Sequence, residues 1–276
     1  MKNETFLKRS IKYAEKVLSE RISNYAMLSD ISQIKPCAII GGAVRDVLVS
    51  ILSKGEIAET PWRDIDIAIV ESEYRNIYEK IKLFDLDIKQ NTFGGLKINL
   101  GNNDIFDMWK IKCDPSELYD SYYWEQYLKN IDFGINAIAF ILPEKRIILR
   151  EEWIDDYFSG LVEDHFFKAE KPELQSIRAI AIASRLTKIS NREFKLGHNC
   201  LKRLDWLAGE AKKEEIISVF KYIRTKVNMK KWDYHFVDLF EKMVSSNNHS
   251  RIFESVFSSF IDSHHIDNSH IQLNNF

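Results

Sequence analysis

Two aspartates stand two residues apart in Asp64-Ile-Asp-Ile-Ala-Ile-Val70. The alternation predicts a strand, and strand residues i and i+2 share a face. Asp64 and Asp66 would then present two carboxylates side by side, with Ile65, Ile67 and Ile69 on the opposite face. Carboxylates so close repel one another unless a cation lies between them. An all-oxygen pair suits Mg²⁺, which is commonly held by one or two carboxylates plus substrate phosphates. Taken alone, so short and common a pattern is better read as two solvated aspartates on an exposed edge strand. Upstream, Gly41-Gly42 follows the apolar run Cys37–Ile40 and precedes a helical pattern over Ala43–Leu52. Two glycines there leave backbone N–H groups open at a helix start, where an anion is favoured. Arg45, one turn in, can reach the same space. The plain alternative for the glycine pair is a tight strand-to-helix turn.

These residues need a scaffold, and 276 residues suggest two domains. Helical spacing predicts an amphipathic helix over residues 3–28, broken before Pro36, and another over Glu73–Leu83. Leu96–Leu100 and Asp104–Trp109 read as a hairpin, as do Asn136–Ile141 and Arg146–Leu149. Beyond Gly160 the chain reads as all helix: Glu173–Leu186, Arg192–Leu207, Glu214–Val227, Trp232–Val244 and a short Arg251–Ile261. The expected organisation is therefore α+β for residues 1–160, with an N-terminal helix, and all-α for residues 161–276.

Composition narrows the class. The chain is 45% hydrophobic and 29% charged with 10 Gly and 5 Pro, which fits a globular protein and excludes collagen-like or low-complexity chains. Three distant cysteines, 37, 113 and 200, argue against a disulfide framework or a Cys-type zinc site. No apolar run is long enough to span a bilayer, and the first residues lack a signal-peptide core. The expectation is a soluble, cytoplasmic protein without a membrane partner. The formal net charge of -2 is unevenly spread: -7 over residues 1–164, +9 over 165–232 and -4 over 233–276. A basic middle can be an anion-binding face or a solvated helical surface.

Gly41-Gly-Ala-Val-Arg-Asp46 followed by Arg63-Asp-Ile-Asp-Ile-Ala68 resembles the signature of the bacterial poly(A) polymerase and class II CCA-adding tRNA nucleotidyltransferase family. Asp132-Phe-Gly-Ile-Asn-Ala137, Asp156-Tyr-Phe-Ser-Gly160 and the run from Pro172 through Arg178 to Ala183 resemble later motifs of the same family, in order, so the resemblance covers about residues 36–190. It implies a polymerase-beta-like nucleotidyltransferase head with a mixed or antiparallel sheet, then an α-helical neck. It implies metal-dependent transfer of NMP from an NTP, CTP or ATP foremost, to an RNA 3′ end. The acceptor would be tRNA or another RNA, and two Mg²⁺ would be bound by Asp64 and Asp66.

The resemblance implies a third carboxylate on a neighbouring strand. Asp107, flanked by apolar residues, is preferred to Asp104 at the turn. It also implies nucleotide contacts from Gly41, Gly42, Arg45, Arg63, Asn136 and Arg178, and Lys97 is a further candidate for the triphosphate. The parts that select C and A depart from the family pattern. Leu174 or Gln175 stands where the first neck arginine is expected, Ala181 replaces another, and no EDxxR helix follows Arg178. Transfer other than ordered C-C-A addition is the expectation. Two other readings compete: a nucleotidyltransferase of toxin, defence or antibiotic-modifying type with a different acceptor, and an inactive nucleotide- or RNA-binding relic.

Overall fold

Asp64–Val70 forms strand β2, and it lies at the centre of a sheet rather than at an edge. The computed structural model describes residues 2–33, 37–55, 64–90, 95–99, 105–111, 121–165 and 172–228. The helices expected at Trp232–Val244 and Arg251–Ile261 fall outside the described residues. The chain divides into two compact units: Met1–Leu161 with Leu186–Phe194, and Val162–Arg185 with the chain from Lys195 onward.

The first unit is a seven-stranded mixed sheet of order β3-β4-β5-β2-β1-β6-β7. Its strands are β1 (Cys37–Ile40), β2, β3 (Asp87–Gln90), β4 (Leu96–Asn99), β5 (Ile105–Ile111), β6 (Ile138–Ile141) and β7 (Arg146–Leu149). β2 and β5 run parallel, and every other neighbouring pair is antiparallel. Both expected hairpins are present, as β4–β5 and β6–β7.

Helices cover both faces. Ile65, Ile67, Ile69 and Ile39 are fully buried on one, each such side chain contributing roughly 1.5–3 kcal/mol of transfer free energy. On that side Tyr25 meets the Phe106 ring edge-on at 5.6 Å. Helix α3 (Gly42–Lys54) packs against β1, β2 and β6, and α1 (Lys2–Ser23) against α3. The predicted single N-terminal helix is interrupted at Asn24 and Tyr25, and a short α2 (Ala26–Ile31) follows. α4 (Tyr74–Lys82) starts after a 3-10 turn at Glu71–Glu73. The outer strand β7 is shielded at its edge, where the Ile147 N–H donates to Glu15 Oε1 at 2.9 Å.

The opposite face, the one that carries Asp66, is covered beyond that residue. Ala68 and Val70 continue it into a cluster with Ala38, Ile40, Ile111, Ala139 and three side chains of α5 (Ser121–Leu128): Tyr123, Trp124 and Leu128. The alternative of an edge strand with two solvated aspartates is thereby excluded for Asp66. The first unit ends with α6 (Glu151–Ser159) and also takes in residues 186–194. There Arg192 Nη2 donates to the carbonyls of Tyr157 and Phe158 at 2.6 and 2.9 Å.

The second unit is helical, with one departure from the expectation of helix alone. Leu161–Val162 (β8) and Lys195–Leu196 (β9) form a two-stranded ladder, extended by the Gly197 N–H donating to the Val162 carbonyl. The predicted helix over Arg192–Leu207 therefore starts later, as α8 (His198–Gly209), with Gly197 as its N-cap. α7 (Pro172–Ser190) precedes it and α9 (Lys213–Asn228) follows. Glu163 Oε1 accepts from the Asn199 N–H at 3.1 Å, placing a carboxylate at the positive end of α8. Asp164, 1% exposed, meets Arg203 Nε at 2.9 Å. Cys200, Leu204, Leu207 and Ala208 of α8 are buried, as are Ile216, Val219, Phe220 and Ile223 of α9.

Candidate active site

The strand register brings the expected chemistry to one end of the sheet. β1 runs antiparallel to β2 with Ile40 opposite Asp66, so the Gly41-Gly42 turn lies beside the beginning of β2. β5 runs parallel with Asp107 opposite Asp66 and Ile105 opposite Asp64. β4 places Lys97 opposite Asp107. Asp66, Asp107 and Lys97 thus form a row across three adjacent strands, spaced about 4.8 Å from strand to strand. All three are only partly covered, whereas Ile65, Ile67, Leu96, Ile98, Phe106 and Met108 beside them are buried. The Asp64 side chain lies outside the described residues, as do Arg63 and Asp104. The backbone of Asp64 opens β2, two residues before Asp66.

Each described carboxylate is held by a neighbour. Trp109, next but one to Asp107 on β5, donates its indole Nε1–H to Asp66 Oδ1 at 2.9 Å. Lys97 Nζ lies 3.3 Å from Asp107 Oδ2. Tyr127, on α5, is pushed up to about 12, first by burial and second by the Asp66 charge. Its hydroxyl therefore stays protonated across the physiological range, a neutral wall beside Asp66 rather than a base. One Asp66 oxygen is thus occupied by an indole, and Tyr127 packs against the apolar cluster that continues the Asp66 face. Trp109 and Tyr127 were missed from the sequence. The i+2 spacing of Trp109 from Asp107 was the one available signal, and nothing in the Tyr127 region pointed to β2.

The glycine turn is built for its place. Gly41 has φ +66° and ψ -129°, a backbone region that is essentially glycine-only. Its carbonyl accepts from the Arg45 N–H, and its own N–H donates to the Ile138 carbonyl, both at 3.0 Å. No side chain caps α3, so its first turn presents backbone N–H groups toward the same end of the sheet. Arg45 is buried and doubly engaged. Its Nε and Nη2 donate to Asp46 Oδ1 at 2.8 and 2.6 Å, and its Nη1 donates to Asn136 Oδ1 at 2.5 Å. Two expected nucleotide contacts, Arg45 and Asn136, are thus brought together by a bond to each other that ties α3 to the 3-10 turn Gly134–Asn136 before β6.

Arg178 belongs to the second unit, on α7, where its Nη1 donates to Gln175 Oε1 at 3.2 Å. Arg178 and Gln175 are therefore neighbours one turn apart on α7. Among the described residues, no group of three or more His, Cys, Asp and Glu side chains forms a metal cluster. The described pair, Asp66 and Asp107, supplies two hard oxygen donors on a shared face, a set that fits Mg²⁺ and not a soft metal.

This seven-stranded mixed sheet, with helices on both faces and a glycine turn beside β2, is a fold shared with solved structures. Solved structures with this fold include a tRNA-processing enzyme in an apo form, 17% identical over 91% of this chain and 65% of that one, with a TM-score of 0.52. A tRNA nucleotidyltransferase complexed with a primer tRNA and an incoming ATP analog is 18% identical over 75% of this chain and 56% of that one, with a TM-score of 0.50. A tRNA-processing enzyme with CTP is 16% identical over 80% of this chain and 55% of that one, also at 0.50. The chain thus spans between about half and two thirds of the length of the solved chains it matches. No family model matches the sequence, and no curated protein matches it. Among the described residues no helix is long and apolar enough to cross a membrane.

Proposed function

We propose that the protein is a metal-dependent nucleotidyltransferase that moves NMP from an NTP to the 3′ end of an RNA, with tRNA as the first acceptor to test. The observation that carries this reading is the register of Asp66 with Asp107 on adjacent parallel strands, partly exposed between buried neighbours and level with the glycine turn. The fold shared with a tRNA nucleotidyltransferase supports it.

In this reading Asp64, Asp66 and Asp107 hold two Mg²⁺ ions, which would supply charge stabilisation at the attacking and leaving oxygens. The residues of the chain do the rest. Trp109 fixes the rotamer of Asp66 by occupying one carboxylate oxygen. The Gly41-Gly42 turn lets the triphosphate approach the backbone, and the first-turn N–H groups of α3 hold its charge. Arg45, through Asn136 and Asp46, keeps that turn rigid. Lys97, and Arg63 beside the strand start, take the triphosphate when it arrives. Arg178 and Gln175 face the base-selecting role of the neck. With fewer fixed donors and acceptors there, a wrong base leaves fewer buried groups unpaired, so base choice is relaxed or is set by other contacts. Ordered C-C-A addition is not part of the proposal.

Incubation of the protein with total RNA, Mg²⁺ and each labelled NTP in turn tests this directly. Label in a discrete RNA band, lost on chelation of the metal, is the expected result. Label on a protein or on a small molecule would move the assignment to another acceptor, and no label with any NTP would favour an inactive relic.

A further inference from the structure

Helix α8 carries two stripes. Cys200, Leu204, Leu207 and Ala208 are buried. Beside them Asn199, Lys202, Arg203 and Trp206 fall at i, i+3, i+4 and i+7, the spacing of one helix face, and none of the four is buried. With Pro172 at the start of α7 they line a cleft of about 250 Å³. That is less than the roughly 300–1,000 Å³ of a pocket enclosing a whole drug-sized ligand, and it suits one planar ring system.

The floor of the cleft is fixed. Asn199 Nδ2 donates to the Asp164 carbonyl at 2.9 Å, and Arg203 is held by the buried Asp164 carboxylate. A half-buried indole, a tethered guanidinium and an exposed ammonium on one stripe match what single-stranded nucleic acids ask for: an aromatic platform for a base and cations that follow the backbone. The net charge of +9 over residues 165–232 exceeds what one nucleotide needs and suits an extended polyanion.

We infer that this cleft seats one nucleotide of a single-stranded RNA, its base stacked on Trp206 against Pro172 and its phosphate met by Lys202. The inference rests on the proposed reading in taking RNA as the ligand, but it asks nothing of the carboxylates. A free NTP offers the same ring and phosphate, so the test separates the two sources.

The test uses the full chain and a labelled single-stranded RNA of about 12 nucleotides, followed by fluorescence anisotropy across a salt series. Trp206→Ala weakens binding at least ~5-fold, and Trp206→Phe restores it to within about twofold, because a ring returns. Lys202→Glu weakens binding and flattens the salt dependence by about one phosphate contact. Lys213→Glu, the same charge change outside the cleft lining, does less. Circular dichroism shows that each variant keeps its helix content.

Four results would overturn the inference: folded Trp206→Ala binding as tightly as the wild type, Phe failing to rescue, Lys213→Glu doing as much as Lys202→Glu, or Trp206→Ala lowering affinity for ATP or CTP instead of RNA. The anisotropy assay contains neither NTP nor Mg²⁺ and so does not depend on the carboxylate site. A failed transfer assay therefore leaves this inference standing, and a failed cleft leaves the carboxylate site standing.

Discussion

Two clusters of charge, one in each unit, show how differently an aspartate can be used. In the helical unit Asp164 is 1% exposed and its partner Arg203 is 15% exposed. That pair is closed, its charges neutralised by each other, and it ties the segment after β8 to α8. In the sheet unit Asp107 is 14% exposed and its partner Lys97 is 39% exposed, with Asp66 alongside in register. That cluster has two described carboxylates to one described cation and is open to solvent. A sealed pair serves the fold. An acidic excess left open at the end of a buried sheet is costly unless something positive fills it, and this difference is what points to chemistry in one unit and architecture in the other.

Breaking the open cluster should cost activity and little else. Asp66→Asn is expected to lower transfer on the order of 10³-fold or more, the loss of several kcal/mol of transition-state stabilisation, with the melting temperature nearly unchanged. Retention of more than a tenth of the wild-type rate would remove Asp66 from the mechanism. Asp64→Ala should behave alike. Breaking the closed pair should do the reverse. Arg203→Met leaves a buried carboxylate without its partner and is expected to cost about 3 kcal/mol, read by urea denaturation. A loss under about 0.5 kcal/mol would mean the pair is no more than a surface contact.

The glycine turn sharpens the contrast within the sheet unit. Gly41→Ala meets no atom with its new Cβ, so its expected cost of about 1–3 kcal/mol is purely that of the φ +66° backbone. Gly42→Ala places its Cβ 3.6 Å from Arg45 Nη2, an ordinary contact, and should leave stability within about 0.5 kcal/mol. If Gly42→Ala nevertheless raises the KM for NTP, the methyl group stands where the phosphates pass. Equal destabilisation by both substitutions would show that the left-handed backbone of Gly41 does not set the cost. A modest effect on ligand affinity is expected of Lys97→Met. Removing the one described cation from the row should tighten Mn²⁺ binding by a few-fold, on the order of 1 kcal/mol or less for a half-exposed pair, while weakening NTP. Unchanged values for both would leave Lys97 with no part in the site.

What was legible in the sequence follows physical rules that act over a few residues. The strand Asp64–Val70, the glycine turn after β1 and the strand that carries Asp107 could be read because alternation, a turn and an apolar flank are local patterns, while the search for a third carboxylate came from the family resemblance. The hairpins β4–β5 and β6–β7 could be read for the same reason. β3 has a mostly exposed pattern with no apolar alternation, so it gave no signal. β8 and β9 have two residues each, too short for any period to show. The cover over the Asp66 face was missed because α5 is eight residues dense in aromatics, Tyr122, Tyr123, Trp124 and Tyr127, rather than a clean 3.6-residue pattern. The partners of the site residues were missed because they are tertiary. The bond from Trp109 to Asp66 spans 43 residues and that from Arg45 to Asn136 spans 91, and only the register of a folded sheet brings them together.

The central claim is that the open row holds a divalent cation. Mn²⁺ reports on it by electron paramagnetic resonance, because bound ion loses the signal of the free one. Titration of the wild type, Asp66→Asn and Asp107→Asn with Mn²⁺ in the presence of a non-hydrolysable NTP should show uptake by the wild type. Affinity should fall by about 10-fold or more in each variant, as loss of a ligating carboxylate requires. Three superimposable binding curves would contradict the account.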